Sequence, residues 1–196
     1  MAGITVPISK QSAMIKHTAF LVTFFCITMS VLAQQQYKPQ SDSSSIQFRI
    51  KNFGIPVSGS IKGLKGTIQF DPQKPGACAF SVSLDAPTIN TGIDMRDNHL
   101  KQDDYFSVAK YPLISFTSTK VTASTKEGYL YLFGDLTIKG VTKPVSFPFQ
   151  ALPSGNGYVF TGSFSINRKD FGIGGSSISM NDMVTVELKV LALPIQ

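Results

Sequence analysis

Apolar and polar residues alternate with a period of two along most of the chain from Ser45 onward. In the first such segment Ile46, Phe48 and Ile50 occupy one side, and polar or charged residues stand between them. This alternation predicts a β-strand with one face toward a core and the other toward water. Similar segments recur as far as Val190, separated by turn-rich stretches such as 71–76 and 153–157. The pattern predicts an all-β protein, a sandwich or a barrel, of about eight strands.

The segment 88–111 does not alternate. It is rich in charged residues, and strand-like patterns lie on both sides of it. We predict a long connection that contains one or two short helices. Connections of this length in compact domains are often functional, or they cover an opening.

The N-terminal region has the features of an export signal. Residues 18–32 are uncharged and mostly apolar, Lys16 and His17 precede them, and small or aliphatic residues lead up to Ala33. We therefore predict a signal peptide over residues 1–33, with Met14 as an alternative start, and a periplasmic or secreted protein. A transmembrane anchor is the competing interpretation, but the apolar run of about 15 residues is shorter than the roughly 20 that a bilayer requires.

The remaining chain divides by composition. Residues 34–44 are polar and rich in Gln and Ser, which predicts a flexible lead-in, and residues 45–196 form the predicted β domain. Loss of the signal peptide would leave Cys78 as the single cysteine and His99 as the single histidine. We therefore expect no internal disulfide and no cysteine-based metal site.

Charge and motifs narrow the function classes. The net charge is +6, but Lys and Arg form no continuous run, so we expect no nucleic-acid partner. The positive excess fits an anionic ligand or a transient membrane contact, and a solvated surface explains it equally well. The chain contains no Gly-x-Ser-x-Gly, His-x-x-x-His or paired-cysteine motif. We therefore expect no catalytic residue, no metal and no cofactor.

The inward faces of the predicted strands are apolar. About eight strands that close on themselves leave a lumen wide enough for side chains or for one slender ligand. An apolar lumen either packs dry, as the core of a small β protein, or holds an apolar ligand. Pro148 lies within a strand pattern and predicts a sheet edge or a bulge, which leaves a homodimer open. The predicted lumen residues are Phe48, Ile50, Ile68, Phe80, Val82, Phe116, Phe147, Phe164 and Val186.

Three residues are candidates to bind the polar head group of such a ligand. Arg96, His99 and Arg168 can each donate hydrogen bonds to a phosphate, carboxylate or quinone oxygen. Structural alternatives exist for all three. Arg96 could pair with Asp94 or Asp97, His99 could pack on the short helix, and Arg168 could pair with Asp170.

Several motifs resemble those of the YceI-like family. They are Thr91–Leu100, the sequences 104–106 and 110–112 that follow it, and the later stretches 134–145 and 168–173. Residues 107–109, Ser-Val-Ala, depart from the resemblance, since many relatives have an acidic residue there. The resemblance implies a lipocalin-like antiparallel barrel with a long apolar tunnel, in a periplasmic or secreted carrier of polyisoprenoids, isoprenoid quinones or fatty-acid-like amphiphiles.

We therefore expect a non-catalytic protein that carries or stores a long-chain isoprenoid or another lipid in its lumen. The alternative is a dry barrel that serves as a structural or stress-related interaction protein of the cell envelope. A catalytic function has the least support, because one histidine, one cysteine and no recognised motif offer little chemistry.

Overall fold

A computed structural model describes residues 1–3 and 35–195, so the predicted signal peptide, apart from residues 1–3, lies outside the described residues. The described part contains ten strands and one α-helix, joined by short 3₁₀ turns. The elements are β1 Gln36–Pro39, β2 Ser45–Asn52, β3 Ile55–Ile61, β4 Lys65–Gln69, β5 Ala79–Asp85, α1 Asp94–Leu100, β6 Leu113–Ala123, β7 Leu130–Ile138, β8 Val141–Ser154, β9 Gly157–Asn167 and β10 Met183–Pro194. Among the described residues, no helix has the length and hydropathy of a membrane span.

The strands form one closed antiparallel barrel. Their order is β1-β4-β5-β6-β7-β8-β9-β10-β2-β3, and β1 also pairs with β10 and so closes the ring. β10 pairs with β1 through Ala192–Pro194 and with β2 through Thr185–Lys189. β1 and β2 are therefore two parts of one interrupted strand, and β3 and β4 are two parts of another. Counted this way, the barrel has eight strands, and the predicted all-β barrel is confirmed.

The first strand corrects the prediction of a flexible lead-in over 34–44. Gln36–Pro39 alternates between exposed and buried residues, and Tyr37 pairs with Pro194 on one side and Ile68 on the other. The Tyr37 ring packs edge-to-face on Tyr158, with ring centroids 5.5 Å apart. One aromatic residue among polar neighbours is too short a pattern to reveal a strand, and only the two partner strands provide its hydrogen bonds.

Pro148 marks an edge, as the sequence predicts. On β8, residues 149–154 pair with β9, from the pair Phe149 and Gly162 to the pair Ser154 and Gly157. The pairing of β8 with β7 instead runs from Val141 through Phe149. Proline has no backbone N–H to donate, so the ladder to β9 stops where Pro148 begins. Past this point the rings of Phe147 on β8 and Phe164 on β9 stack on each other, with ring centroids 4.5 Å apart.

The long connection and one loop cover one end of the barrel. The connection contains a 3₁₀ turn at Ala86–Thr88 and the helix α1, which is about two turns long, in line with the predicted short helices. Ser60 pairs with Asn90, which joins the connection to β3. The Gly174 N–H donates to the Asp104 carbonyl at 2.7 Å, which joins the connection to the loop 172–182. The β2–β3 turn lies at this same end, which we call the mouth.

Aromatic side chains close the opposite end, which we call the floor. Phe70 packs edge-to-face on Tyr158 and Phe160, and Phe80 packs in the same way on Phe149 and Phe160, with centroid distances of 4.9 to 5.5 Å. This geometry is the favoured one for aromatic pairs. The floor is therefore a dense core.

Candidate functional site: an apolar cavity in the barrel

A cavity of about 270 Å³ lies inside the barrel, between the floor and the mouth. All nine predicted lumen residues lie on its wall: Phe48, Ile50, Ile68, Phe80, Val82, Phe116, Phe147, Phe164 and Val186. Their contact with a ligand stays a prediction. Most other wall residues are also aliphatic or aromatic, and the polar ones are Gln47, Asn52, Ser83, Thr91, Arg96, Tyr105, Ser115 and Arg168.

Strand register explains why the predicted residues share one surface. Val186 on β10 pairs with Phe48 on β2 and with Phe164 on β9, so these three side chains form a layer across neighbouring strands. Val82 on β5 pairs with Phe116 on β6 in the same way. Directly paired residues in an antiparallel sheet point to the same face, so the parity of each strand decides which residues face the cavity.

Two glycines keep the cavity open. A Cβ atom at Gly59 would lie 2.3 Å from the Phe48 ring, and one at Gly134 would lie 2.3 Å from the Phe116 ring. Because these positions have no side chain, both rings lie against the barrel wall. These glycines are not among the predicted lumen residues, although a glycine inside a strand often marks a close approach of this kind.

The cavity is deep and narrow. Its wall on β10 extends from Val184 to Val190, which corresponds to about 20 Å along the strand. With a strand tilt of roughly 40°, this is about 15 Å along the barrel axis. The floor aromatics end the cavity, so any access to it lies at the mouth end.

Two of the three predicted head-group residues, Arg96 and Arg168, lie on the cavity wall, and Arg96 is the one that keeps free donors. Its Nε donates to Thr91 Oγ1 at 2.7 Å and its Nη2 donates to the Thr91 carbonyl at 2.9 Å. Within residues 35–195, no carboxylate lies within 4.0 Å of its guanidinium, so the alternative pairing with Asp94 or Asp97 is not formed. The Nη1 group and one Nη2 hydrogen remain free to donate to a ligand.

Asp97 has a structural role in the same motif. It is buried, with 5% of its surface exposed, and it accepts hydrogen bonds from the Thr91 N–H and hydroxyl. Thr91 thus connects Asp97 to Arg96 and orients the guanidinium. Thr91 is not among the predicted site residues, because its role depends on a contact across the start of α1 that no local pattern reveals.

His99 does not reach the cavity, which corrects its prediction as a head-group residue. Its side chain is exposed and packs edge-to-face on Tyr105, with ring centroids 4.8 Å apart. Arg96 and Leu100, four residues apart, occupy the side of α1 that faces the cavity. His99 therefore packs on the outside of the connection, as its structural alternative proposed.

Arg168 is also corrected, because no donor of its side chain is free. The residue is 2% exposed, and it forms an ion pair of 3.1 Å with Asp182, whereas the sequence suggested Asp170. Its five N–H groups donate to Asn181 O, Ile173 O, Gly175 O, Met180 O and Asp182 Oδ1. Arg168 therefore holds the loop 172–182 in place at the mouth, and only that loop provides its acceptors.

The polar chemistry of the site is limited. In the portion of the chain that the structure covers, no group of three or more His, Cys, Asp or Glu side chains is placed to hold a metal ion. Cys78 is buried in the floor, away from Arg96, and burial raises the pKa of its thiol. What the arrangement offers is a long apolar surface and one cationic donor group near its open end.

Comparison with known proteins agrees with this architecture. The family model for the YceI-like domain matches residues 37–192. Protein YceI of Escherichia coli O6:H1 is 31% identical over 179 residues, which cover 86% of this chain and 93% of that protein. The crystal structure of Burkholderia cenocepacia BcnA superposes with a TM-score of 0.74 at 22% identity, over 78% of this chain and 98% of that one.

A further structural relative is a polyisoprenoid binding domain from Saccharophagus degradans. It superposes with a TM-score of 0.65 at 17% identity, over 81% of this chain and 98% of that domain. The structural relatives share the barrel, and the sequence match extends over nearly all of its strands. This chain belongs to the YceI-like family.

Proposed function

We propose that the barrel binds one long apolar amphiphile, with its tail in the cavity and its polar end near Arg96. The observation that carries this proposal is the cavity of about 270 Å³ whose wall is almost entirely aliphatic and aromatic. A dry core would close such a volume by packing, because protein interiors have few voids larger than a water molecule. Here Gly59 and Gly134 hold two phenyl rings back from the lumen.

The energetics favour a ligand with a long tail. Each buried methylene contributes about 0.8 kcal/mol, so a tail gains affinity through its length and needs no specific contacts. At the mouth end, the free Arg96 hydrogens can donate to a phosphate, a carboxylate or a quinone oxygen. Charge-assisted hydrogen bonds of this kind also fix which end of the ligand faces the mouth.

Polyisoprenoids and isoprenoid quinones are the leading candidates for the ligand. The fold is shared with the polyisoprenoid binding domain of Saccharophagus degradans, and the cavity has the slender shape that such a chain needs. A fatty-acid-like lipid satisfies the same chemistry. The proposed role is non-catalytic carriage or storage, in a protein exported to the periplasm or beyond by the signal peptide over residues 1–33.

Mass spectrometry of the bound lipid tests the proposal. The protein is purified from a bacterial host without detergent, extracted with organic solvent, and compared with a mock purification. We expect a long-chain amphiphile at a fixed ratio to the protein and chemically unmodified after incubation. An extract without lipid, combined with no uptake of an added isoprenoid quinone or polyprenyl phosphate, would support the dry-barrel alternative.

A further inference from the structure

Large apolar side chains project into water around the mouth of the cavity. Phe53 and Ile55 at the β2–β3 turn are 78% and 67% exposed, Met95 on α1 is 83% exposed, and Ile178 in the loop 172–182 is fully exposed. We call these four residues the rim. None of them is among the residues of the cavity wall.

The rim residues belong to segments that are joined around the mouth. The Phe53 N–H donates to the Ser179 carbonyl at 2.7 Å, and Asn52 forms a bridge with Met180, so the β2–β3 turn and the loop 172–182 are adjacent. Each of the three rim segments also contributes a residue to the cavity wall, namely Asn52, Arg96 and Met180. The apolar rim is therefore continuous with the apolar cavity.

The stability of the fold does not explain Phe53. Its φ of 49° and the φ of 78° at Gly54 define a tight turn in the left-handed region, where Asn-Gly is the favoured pair. A bulky residue is disfavoured in this conformation, and its exposed ring gains little from burial within the chain. An aromatic side chain at this turn fits a contact outside the barrel.

We infer that the rim docks on the surface of a lipid bilayer. Moving a lipid tail from a bilayer into water costs about as much free energy per methylene as burial in the cavity later recovers. Contact between the mouth and the bilayer lets the tail pass from one apolar medium to the other. Lys51 is close in sequence to Phe53, and Asp94 is next to Met95, so charges of both signs lie near the rim. We therefore expect apolar contact, and not net charge, to hold the rim on the bilayer. The purpose of docking rests on the proposed function, but docking itself is measured separately.

Tryptophan fluorescence tests the docking directly, because the chain contains no tryptophan. Phe53→Trp places a single reporter on the rim, and Leu152→Trp places one at a 51% exposed position near the floor. On addition of phosphatidylcholine vesicles we expect a blue shift for Phe53→Trp and quenching by acyl-brominated lipid, at low and high salt. Leu152→Trp should show neither change.

Four results of this experiment would overturn the inference. The first is an unchanged Phe53→Trp spectrum, and the second is an equal response from Leu152→Trp. The third is a Phe53→Trp spectrum that is already blue-shifted without vesicles, because the rim would then be covered by another part of the chain or by a second copy. A response that high salt abolishes would also contradict apolar docking.

Uptake kinetics connect the rim to the cavity. The double variant Phe53→Asn, Ile178→Ser should take up a pyrene-labelled fatty acid from vesicles about tenfold more slowly or worse, since two apolar side chains no longer enter the bilayer. Its uptake of the probe from detergent micelles should match that of the wild type. The control variant Leu152→Asn should match the wild type in uptake from vesicles and in uptake from micelles. Asn suits the left-handed turn, so the variant should keep its melting temperature.

The two proposals fail in distinguishable ways. Equal uptake from vesicles by the double variant and the wild type would contradict docking while binding stands. If the wild type takes up the probe from neither source, lipid binding fails, and the tryptophan spectra still decide whether the rim docks.

Discussion

Phe116 lies against Gly134 so closely that a Cβ atom at position 134 would be 2.3 Å from the Cζ of the ring. The two residues are on neighbouring strands, β6 and β7, and Phe116 is on the cavity wall. The absent side chain of Gly134 therefore decides how far the ring extends into the lumen.

Gly134→Ala should push the Phe116 ring toward the lumen and also displace the backbone at Thr117, whose carbonyl oxygen would lie 2.6 Å from the added Cβ. We expect lower ligand uptake and a loss of about 1–3 kcal/mol in the free energy of unfolding, as is typical when atoms are added to a packed site. Titration with a fluorescent fatty acid and urea unfolding measure the two effects. Gly76→Ala is the matched control, because no atom lies within 4 Å of its added Cβ and its φ is not positive. Unchanged uptake in Gly134→Ala would show that the ring position does not limit the cavity.

Arg96→Gln should weaken binding only for ligands with a polar head. A hydrogen bond to a charged group contributes about 1.5–3 kcal/mol, so affinity for a polyprenyl phosphate should fall tenfold or more. Affinity for squalene, which has no polar head, should not change. Arg49→Gln is the control, because Arg49 is exposed and its ion pair with Glu187 is long, at 3.8 Å. An equal loss for both ligands would mean that Arg96 acts through structure.

Phe116→Asp and Lys120→Asp test which face of β6 lines the cavity. Phe116 is on the cavity wall, whereas Lys120 is exposed and follows a bulge in the pairing with β7. A carboxylate at position 116 would be buried without a partner, so we expect loss of ligand uptake or of folding. Lys120→Asp should retain both, as measured by circular dichroism and fatty-acid titration. Similar effects of the two variants would contradict the assigned face.

Arg168→Met should destabilise the protein strongly, although Arg168 binds no ligand in our interpretation. The change leaves four backbone carbonyls and Asp182 Oδ1 without the Arg168 donors, while Lys169 still pairs with Asp182 Oδ2. We expect a loss of about 3–5 kcal/mol in urea unfolding. Lys169→Met removes a more exposed ion pair to the same Asp182 and should cost less than about 1 kcal/mol. Comparable losses would indicate that burial of Arg168 is not what makes its interactions strong.

Cys78 should make the protein less stable at alkaline pH. Burial raises the pKa of its thiol above the ordinary value of 9.0, although the Asp71 N–H that donates to the sulfur acts in the opposite direction. As the pH rises past the ordinary pKa of a thiol, Cys78 loses its proton in the unfolded state before it does so in the folded state. Deprotonation therefore favours the unfolded state, and the free energy of unfolding falls. The urea midpoint should fall more from pH 7 to pH 10 for the wild type than for Cys78→Ala. An equal fall in both proteins would exclude the thiol as a cause.

Much of the cavity wall could be predicted from the sequence. All nine predicted lumen residues lie on the wall, because alternation with a period of two is a local property and decides which side chains share a face. The motifs around Arg96 and Arg168 also indicated the family correctly. Neither observation required knowledge of which strands are neighbours.

The tertiary structure alone decided how the barrel closes and which cation is free to bind a ligand. Tyr37 joins the barrel because β4 and β10 satisfy the hydrogen bonds of β1. Arg96 and Arg168 offer the same donors, but the loop 172–182 supplies acceptors to Arg168, whereas within residues 35–195 the guanidinium of Arg96 donates only to Thr91. Hydrogen-bond satisfaction depends on groups far apart in the chain, so a local pattern does not reveal it.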